Sequence, residues 1–437
     1  MRLSRLQKPS LRIRLPVSNK AAAHGRHRGE DALAGRDGSG ECAMERDRLQ
    51  TGPMSLAAPL AAVLGCLQPG IDPVFLSLLS DACHVPPAAH GIIVGGTQAG
   101  AALGSLLVWR LGAHLPRSVL IAGAAGATAL SFGTVLADGL AAALVLRCGY
   151  GLAMGMVYAH AMSAYAARQP NKAYGSVFLV QLLLSTLVSL VLPELAVAFG
   201  AHAALATLAL APAGAFAALR VMHRGGANAA GRARDSIRAP VPRAGWALAA
   251  ATFWFICSTM LVWSFAAALA ADAGIDERTI GHAVAVGSLA GALTALAVMR
   301  EKSVVPLLAT AVIAGACLAA PLLLTAPGDA TAFVVAIVLL NIGSTAIIIR
   351  CSGLATATSS DSRFRTFVAC THSLGLIAGP TIGSAMMAWA GADGLLAGLS
   401  VTLSGGVAAV VYANLSTAIS ADALRRWTLR STAGHIA

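Results

Sequence analysis

The sequence predicts an all-α integral membrane protein with twelve transmembrane helices in two similar six-helix bundles. Three observations lead there. Of 437 residues, 57% are hydrophobic and 11% are charged, whereas a soluble chain carries about 25% charged residues. The apolar residues gather into segments long enough to cross a hydrocarbon core about 30 Å thick. Lys and Arg fall almost wholly in the two terminal segments and on alternate connections between the apolar ones.

Residues 1–54 are polar, Arg-rich and aperiodic. They predict a disordered basic tail, and the lack of an apolar h-region argues against a secretory signal. Met44, in MERDRLQTGPM, is an alternative start close to the first span. Twelve apolar segments follow, near 56–79, 89–109, 119–137, 140–164, 173–198, 203–222, 246–270, 280–299, 303–325, 329–349, 364–390 and 394–418. They are numbered below as spans 1 to 12.

With the N-terminus placed inside, the tail, the connections after even-numbered spans and the C-terminal segment hold 29 of the 31 Lys and Arg. Arg278 falls outside and Arg147 within a span. Basic residues accumulate on cytoplasmic loops, so both termini are predicted to be cytoplasmic. The same rule accounts for the net charge of +12 without invoking nucleic acid. The eight cysteines show no metal-ligand spacing and most lie in apolar runs, so neither a zinc site nor a disulfide framework is expected. No cofactor is called for.

The polar, Gly- and Pro-rich stretch HRGGANAAGRARDSIRAPVPRAG separates the halves. The expected organisation is therefore a tail at 1–54, a bundle at 55–222, a basic cytoplasmic linker at 223–245, a second bundle at 246–418 and a cytoplasmic tail at 419–437. The halves also resemble each other. Gly91–Arg110 aligns without gaps to Gly281–Arg300 at an offset of 190, with seven of twenty positions identical. Span 2 thus falls on span 8, as duplicated transporter halves require.

Span 1 holds the least ordinary stretch, CLQPGIDPVFLSLLSD. Asp72 lies in a run otherwise free of charge from Leu56 to Leu79. A charge at the bilayer centre costs about 2.5–3.5 kcal/mol on the insertion scale, so it needs a partner or water. Pro69 and Pro73 each remove a backbone donor, which strips helical partners from the Gly65 and Pro69 carbonyls. Loosened backbone at membrane depth is tolerated only against protein or a wet cavity. The expectation is a broken helix that points a carboxylate into a polar pocket.

Twelve spans as six plus six, a basic central loop and the internal repeat together resemble the major facilitator superfamily over about residues 55–418. After span 2 the family carries Gly-x-x-x-Asp-Arg-x-Gly. This chain has Ser105-Leu-Leu-Val-Trp109-Arg110-Leu-Gly112, which keeps the Arg and last Gly and loses the Asp of the gating salt bridge. Arg147-Cys-Gly-Tyr-Gly151-Leu-Ala-Met-Gly155 in span 4 is similar to a family motif tied to proton coupling. The glycine–proline motif of drug–proton antiporters is absent from span 5, and a near copy, Gly375 to Gly379-Pro380 to Gly383, stands in span 11. By this resemblance Arg110, Gly112, Gly151, Gly155, Gly379 and Pro380 are the candidate gating residues.

The resemblance also implies that spans 1, 4, 7 and 10 line a cavity, that 2, 5, 8 and 11 flank it, and that 3, 6, 9 and 12 face outward. Asp72, Gln98, Arg147, Gln181, Asn341 and His372 fall on spans 1, 2, 4, 5, 10 and 11, which fits. Asp72 and Arg147 are each seven residues from the outer end of their span, about 10 Å deep, and Gln98 lies at about 13 Å. Asp72 and Arg147 are expected to pair across the cavity, with protonation of Asp72 freeing Arg147 for an anionic substrate group. Gln98, Tyr150, Gln181, Asn341 and His372 complete the candidate substrate and proton site. Each also fits a structural reading: a pair that fixes packing, amides that bond between helices, and His372 and His160 as packing residues. Trp254 and Trp263 suit either the cavity or an interface.

The expected activity is secondary active transport of a small organic solute, an anion or metabolite, by proton symport. Drug or metabolite efflux by proton antiport is the alternative. A polytopic membrane enzyme or sensor is the rival of another class, but no metalloprotease, nucleophile-elbow or phosphate-loop motif is present. The expected partners are a small-molecule substrate, protons and the lipid bilayer, with no nucleic acid and a monomeric state. The Ala- and Gly-rich composition points to a bacterial inner membrane.

Overall fold

A computed structural model describes residues 54–85, 89–137, 139–167, 169–225, 240–275, 277–300 and 305–433, all within one unit, Gln50–Ala437. The tail, Met44 and most of the basic linker lie outside the described residues. Every element is a helix or helical turn, and no strand occurs among the described residues.

Span 1 is two helices, Met54–Gly65 and Gln68–Cys83. The interruption at Cys66–Leu67 follows from Pro69, which removes the donor that the Gly65 carbonyl would use. The second interruption expected from Pro73 does not occur, because the backbone stays helical from Gln68 to Cys83. Spans 2 to 5 are His90–Leu111, Arg117–Val135, Leu140–Tyr165 and Pro170–Phe199. Span 6 joins Ala201–Thr207 to Leu210–Gly225. Spans 7 to 10 are Arg243–Asp272, Glu277–Val298, Leu307–Leu324 and Ala330–Ala357.

Spans 11 and 12 run together over Ser362–Ala433, with non-helical backbone at Ala390 and Gly391. A Cβ added at Gly398 would sit 2.8 Å from the Met386 side chain. Twelve residues of straight helix would separate those positions by about 18 Å, so the chain doubles back there. Gly391 turns with φ 58°, and Gly200, between spans 5 and 6, with φ 88°. The helix runs on to Ala433, so the tail expected from 419 begins as a continuation of span 12.

Among the described residues ten helices are long and apolar enough to cross a membrane, one of them the 56-residue stretch Ser362–Thr417 that bends back. That stretch supplies two crossings, and the broken span 1 brings the total to twelve. The outer faces carry exposed Leu187, Leu190, Val145, Val197, Val401 and Trp389, as a lipid-facing surface does. This is a multi-pass membrane protein.

The internal repeat holds at the level of packing. At the offset of 190, Ala102 and Ala292 are both buried, and Leu103 and Leu293 are both exposed. Pro116 and Pro306, again 190 apart, each precede the first residue of a helix in extended conformation, spans 3 and 9. Spans 2 and 4 pack together as spans 8 and 10 do. The halves meet where span 2 packs on span 11 and span 5 on span 8, with further contacts of 4 on 11 and 5 on 10.

Candidate functional site

Helix pairs that cross closely need small residues at the contact. A Cβ at Gly151 would run into the Thr97 carbonyl, one at Gly155 into the Ala101 carbonyl, and one at Gly100 into the Cys148 carbonyl. Spans 2 and 4 therefore touch backbone to backbone. In the other half Gly379 plays this part, since a Cβ there would lie 2.5 Å from the Cys257 carbonyl of span 7. Pro380 follows it inside the helix. This packing places the side chains of spans 2 and 4 in register at one depth.

Asp72 and Arg147 are the charged residues buried among the described ones, at 8% and 2% exposure. They meet in one layer, as their depths require, but they do not form the expected pair. No N–O contact within 4.0 Å joins them. Asp72 Oδ1 instead accepts from Gln68 Nε2 at 2.7 Å, one helical turn back. The Arg147 guanidinium lies between two rings, 4.4 Å from the Phe75 centroid and 4.2 Å from that of Tyr150. Its Nε is 3.4 Å from Thr97 Oγ1, and its Nη2 is buried without a hydrogen-bond partner. The physical reason is competition. An amide four residues away on the same helix reaches the carboxylate without crossing between helices, and two aromatic faces hold the guanidinium through cation–π contact.

A cavity of about 170 Å³ lies beside this layer. Its lining comes from spans 1, 2, 4, 5, 7, 8, 10 and 11, and no described residue of spans 3, 6, 9 or 12 is among it. Gln98, Tyr150, Gln181, Asn341 and His372 all line it. Asp72 and Arg147 stand behind its wall, screened by Gln68 and Tyr150. The break in span 1 faces it through Cys66, Pro69 and Gly70, so the loosened backbone meets a cavity while the carboxylate does not. Sequence reasoning overlooked Gln68, although an amide four residues before a buried acid was a usable signal. Trp263, left open between cavity and interface, lines the cavity. Trp254 packs against Gly405 of span 12.

The hydrogen bonds that join the two halves lie toward the face carrying the loops after even-numbered spans, called here the terminal face. Ser105 Oγ is 2.9 Å from Ser373 Oγ, and Cys370 Sγ donates to the Ser105 carbonyl at 3.0 Å. Thr366 Oγ1 donates to Ser163 Oγ at 2.9 Å. His372 stacks on Tyr174 of the other half, centroids 5.4 Å apart and rings 8° from parallel. Nearer the surface, Trp109 packs on Phe367 at 5.2 Å, and Phe367 on Trp246 at 5.1 Å. Arg110 is exposed, and Gly112 ends span 2 with φ 50°. Neither enters an ion pair among the described residues, so the contact at this point is aromatic.

No family model matches the chain, and no curated protein matches it in sequence. Among solved structures it is similar to the crystal structure of the human organic anion transporter MFSD10 (TETRAN), with a TM-score of 0.62 and 15% identity over 82% of this chain and 98% of that one. The chain thus shares the fold of that structure.

Proposed function

We propose that the protein is a secondary active transporter that moves a small organic solute by alternating access, coupled to protons in symport. The observation that carries this reading is the cavity itself. It is central, polar in part, and drawn from both halves, and the halves are held together at the terminal face. A site between two similar bundles that can rock about it is the arrangement alternating access uses. An enzyme would need paired reacting groups, and the described lining offers hydroxyls, amides, the Cys66 thiol and the His372 imidazole, which is stacked on Tyr174.

Asp72 is the proposed proton carrier, as the buried acid one helical turn from the cavity-lining Gln68. Its partner Gln68 bonds to either protonation state, so a proton can come and go without unmaking the contact. Arg147 is the fixed positive charge beside it. The positive-inside count supports the terminal face as cytoplasmic.

The test is uptake into proteoliposomes under a pH gradient of either sign. Accumulation that follows inward protons selects symport, and accumulation against them selects antiport, the reading kept open by Gly375 to Gly383 in span 11. Asp72→Asn is expected to abolish gradient-driven accumulation while leaving solute exchange. Full proton-driven accumulation by that variant overturns the role of Asp72.

A further inference from the structure

We infer that the cavity takes a neutral, hydroxyl-bearing solute rather than an ion. The inference rests on the reading of the chain as a transporter and names the class of its cargo.

No Asp, Glu, Lys or Arg stands among the described lining residues, and the imidazole among them, His372, is stacked on Tyr174. Behind the wall, Asp72 is bonded by Gln68, and Arg147 is held between two rings with its Nη2 unbonded. An ionised solute would lose its hydration and gain no counter-charge in return, which is strongly unfavourable in a partly dry site. The anionic cargo expected from Arg147 therefore finds no cation to meet, whatever the human protein of this fold carries.

What the lining offers instead is groups that both donate and accept. Gln98 and Gln181 stand on one half and Asn341 on the other, with the hydroxyls of Ser185, Ser288 and Ser344 between. A carboxamide presents two N–H donors and a carbonyl acceptor, and a hydroxyl presents one donor and two lone pairs. A solute hydroxyl matches either, because it too donates and accepts at one atom. One of these groups is waiting for a partner: Ser185 Oγ is buried, in a residue 3% exposed, and has no hydrogen-bond partner. Gln98, 2% exposed, lies beside the Asp72 carboxylate as well as in the lining. Asn341 uses one amide N–H on the Ile337 carbonyl at 2.9 Å, which fixes the side chain and leaves its other polar positions for a ligand. Unpaired buried donors are costly when empty and discriminate strongly when filled, since an analogue that lacks the matching atom leaves them orphaned. Trp263 and Met260 supply the apolar wall for a C–H face. The cavity volume, about 170 Å³, sets the cargo as small.

The experiment uses the purified full chain. Labelled xylitol and mannitol are tested beside gluconate and glucosamine, a hydroxylated acid and amine of similar size, for saturable uptake into proteoliposomes and for thermal stabilisation in detergent. The neutral polyols are expected to bind and enter at least about tenfold more readily than the charged forms. Gln98→Leu and Asn341→Leu are expected to weaken that binding about tenfold while the protein stays monodisperse. Preference for gluconate or glucosamine, or failure of every polyol to bind, overturns the inference. Gluconate uptake that follows an inward proton gradient would do so while leaving the transport reading intact. The absence of driven uptake for any solute would overturn both.

Discussion

Asp72 shows how a single buried charge can be satisfied without an opposite charge. Its carboxylate takes a short hydrogen bond from Gln68, four residues back on the same helix face. Arg147, at the same depth, is held by the faces of Phe75 and Tyr150. Gln68→Leu removes the amide and leaves the carboxylate without its partner. A loss of about 1–3 kcal/mol of stability is expected, read as a fall in the melting temperature of the purified protein and absent from the double variant with Asp72→Leu. An unchanged melting temperature in Gln68→Leu would show that another group holds Asp72. The sequence made Asp72 and Arg147 legible, because a charge in an apolar run stands out. It could not make Ser185 or Trp263 legible. A serine in a membrane helix can bond to its own backbone, and a tryptophan suits lipid headgroups as well as a cavity.

At the scale of helices, small residues decide which spans touch. Gly151 leaves no room for a Cβ against the Thr97 carbonyl, while nothing lies within 4 Å of the position a Cβ would take at Gly91. Gly151→Ala is expected to destabilise the protein by about 1–3 kcal/mol through overpacking, and Gly91→Ala to leave its melting temperature unchanged. The aromatic contact at Trp109 is the second element-scale feature. Where the resembled family has an acid before Arg110, this chain has Trp109, packed on Phe367 with the rings tilted by 53°. Trp246 extends the cluster edge-on to Phe364 at 5.0 Å. Aromatic pairs contribute about 0.5–1.5 kcal/mol beyond burial, and ring contacts are indifferent to salt in a way that an exposed ion pair is not. Trp109→Ala is expected to open the terminal face about tenfold more often. Cys370 is the reporter, since it is buried and its thiol is bonded to the Ser105 carbonyl. Faster labelling of Cys370 by a permeant thiol reagent in Trp109→Ala, with Trp109→Phe close to the parent, is the outcome to look for.

For the whole molecule, the two halves are related by the offset of 190 and meet through spans 2 with 11 and 5 with 8. Their hydrogen bonds cluster on one side of the cavity, which fixes the closed face of this conformation. Ser105→Cys with Ser373→Cys places two thiols where the hydroxyls are 2.9 Å apart. Oxidation of that pair, with the native cysteines replaced, is expected to stop transport, and reduction to restore it. Continued transport by the cross-linked protein would mean that this face need not open. The sequence by itself determined the number of spans, the break in span 1, the duplication and the set of helices that carry polar residues. Each depends on local composition, because crossing a membrane requires apolar length and nothing about the neighbours. Only the tertiary structure decided that Asp72 turns to Gln68, that Arg147 hides between rings, and that the cavity wall is uncharged. Those outcomes depend on which side chain first reaches a buried group across a helix contact, and hydropathy along the chain carries no record of that competition.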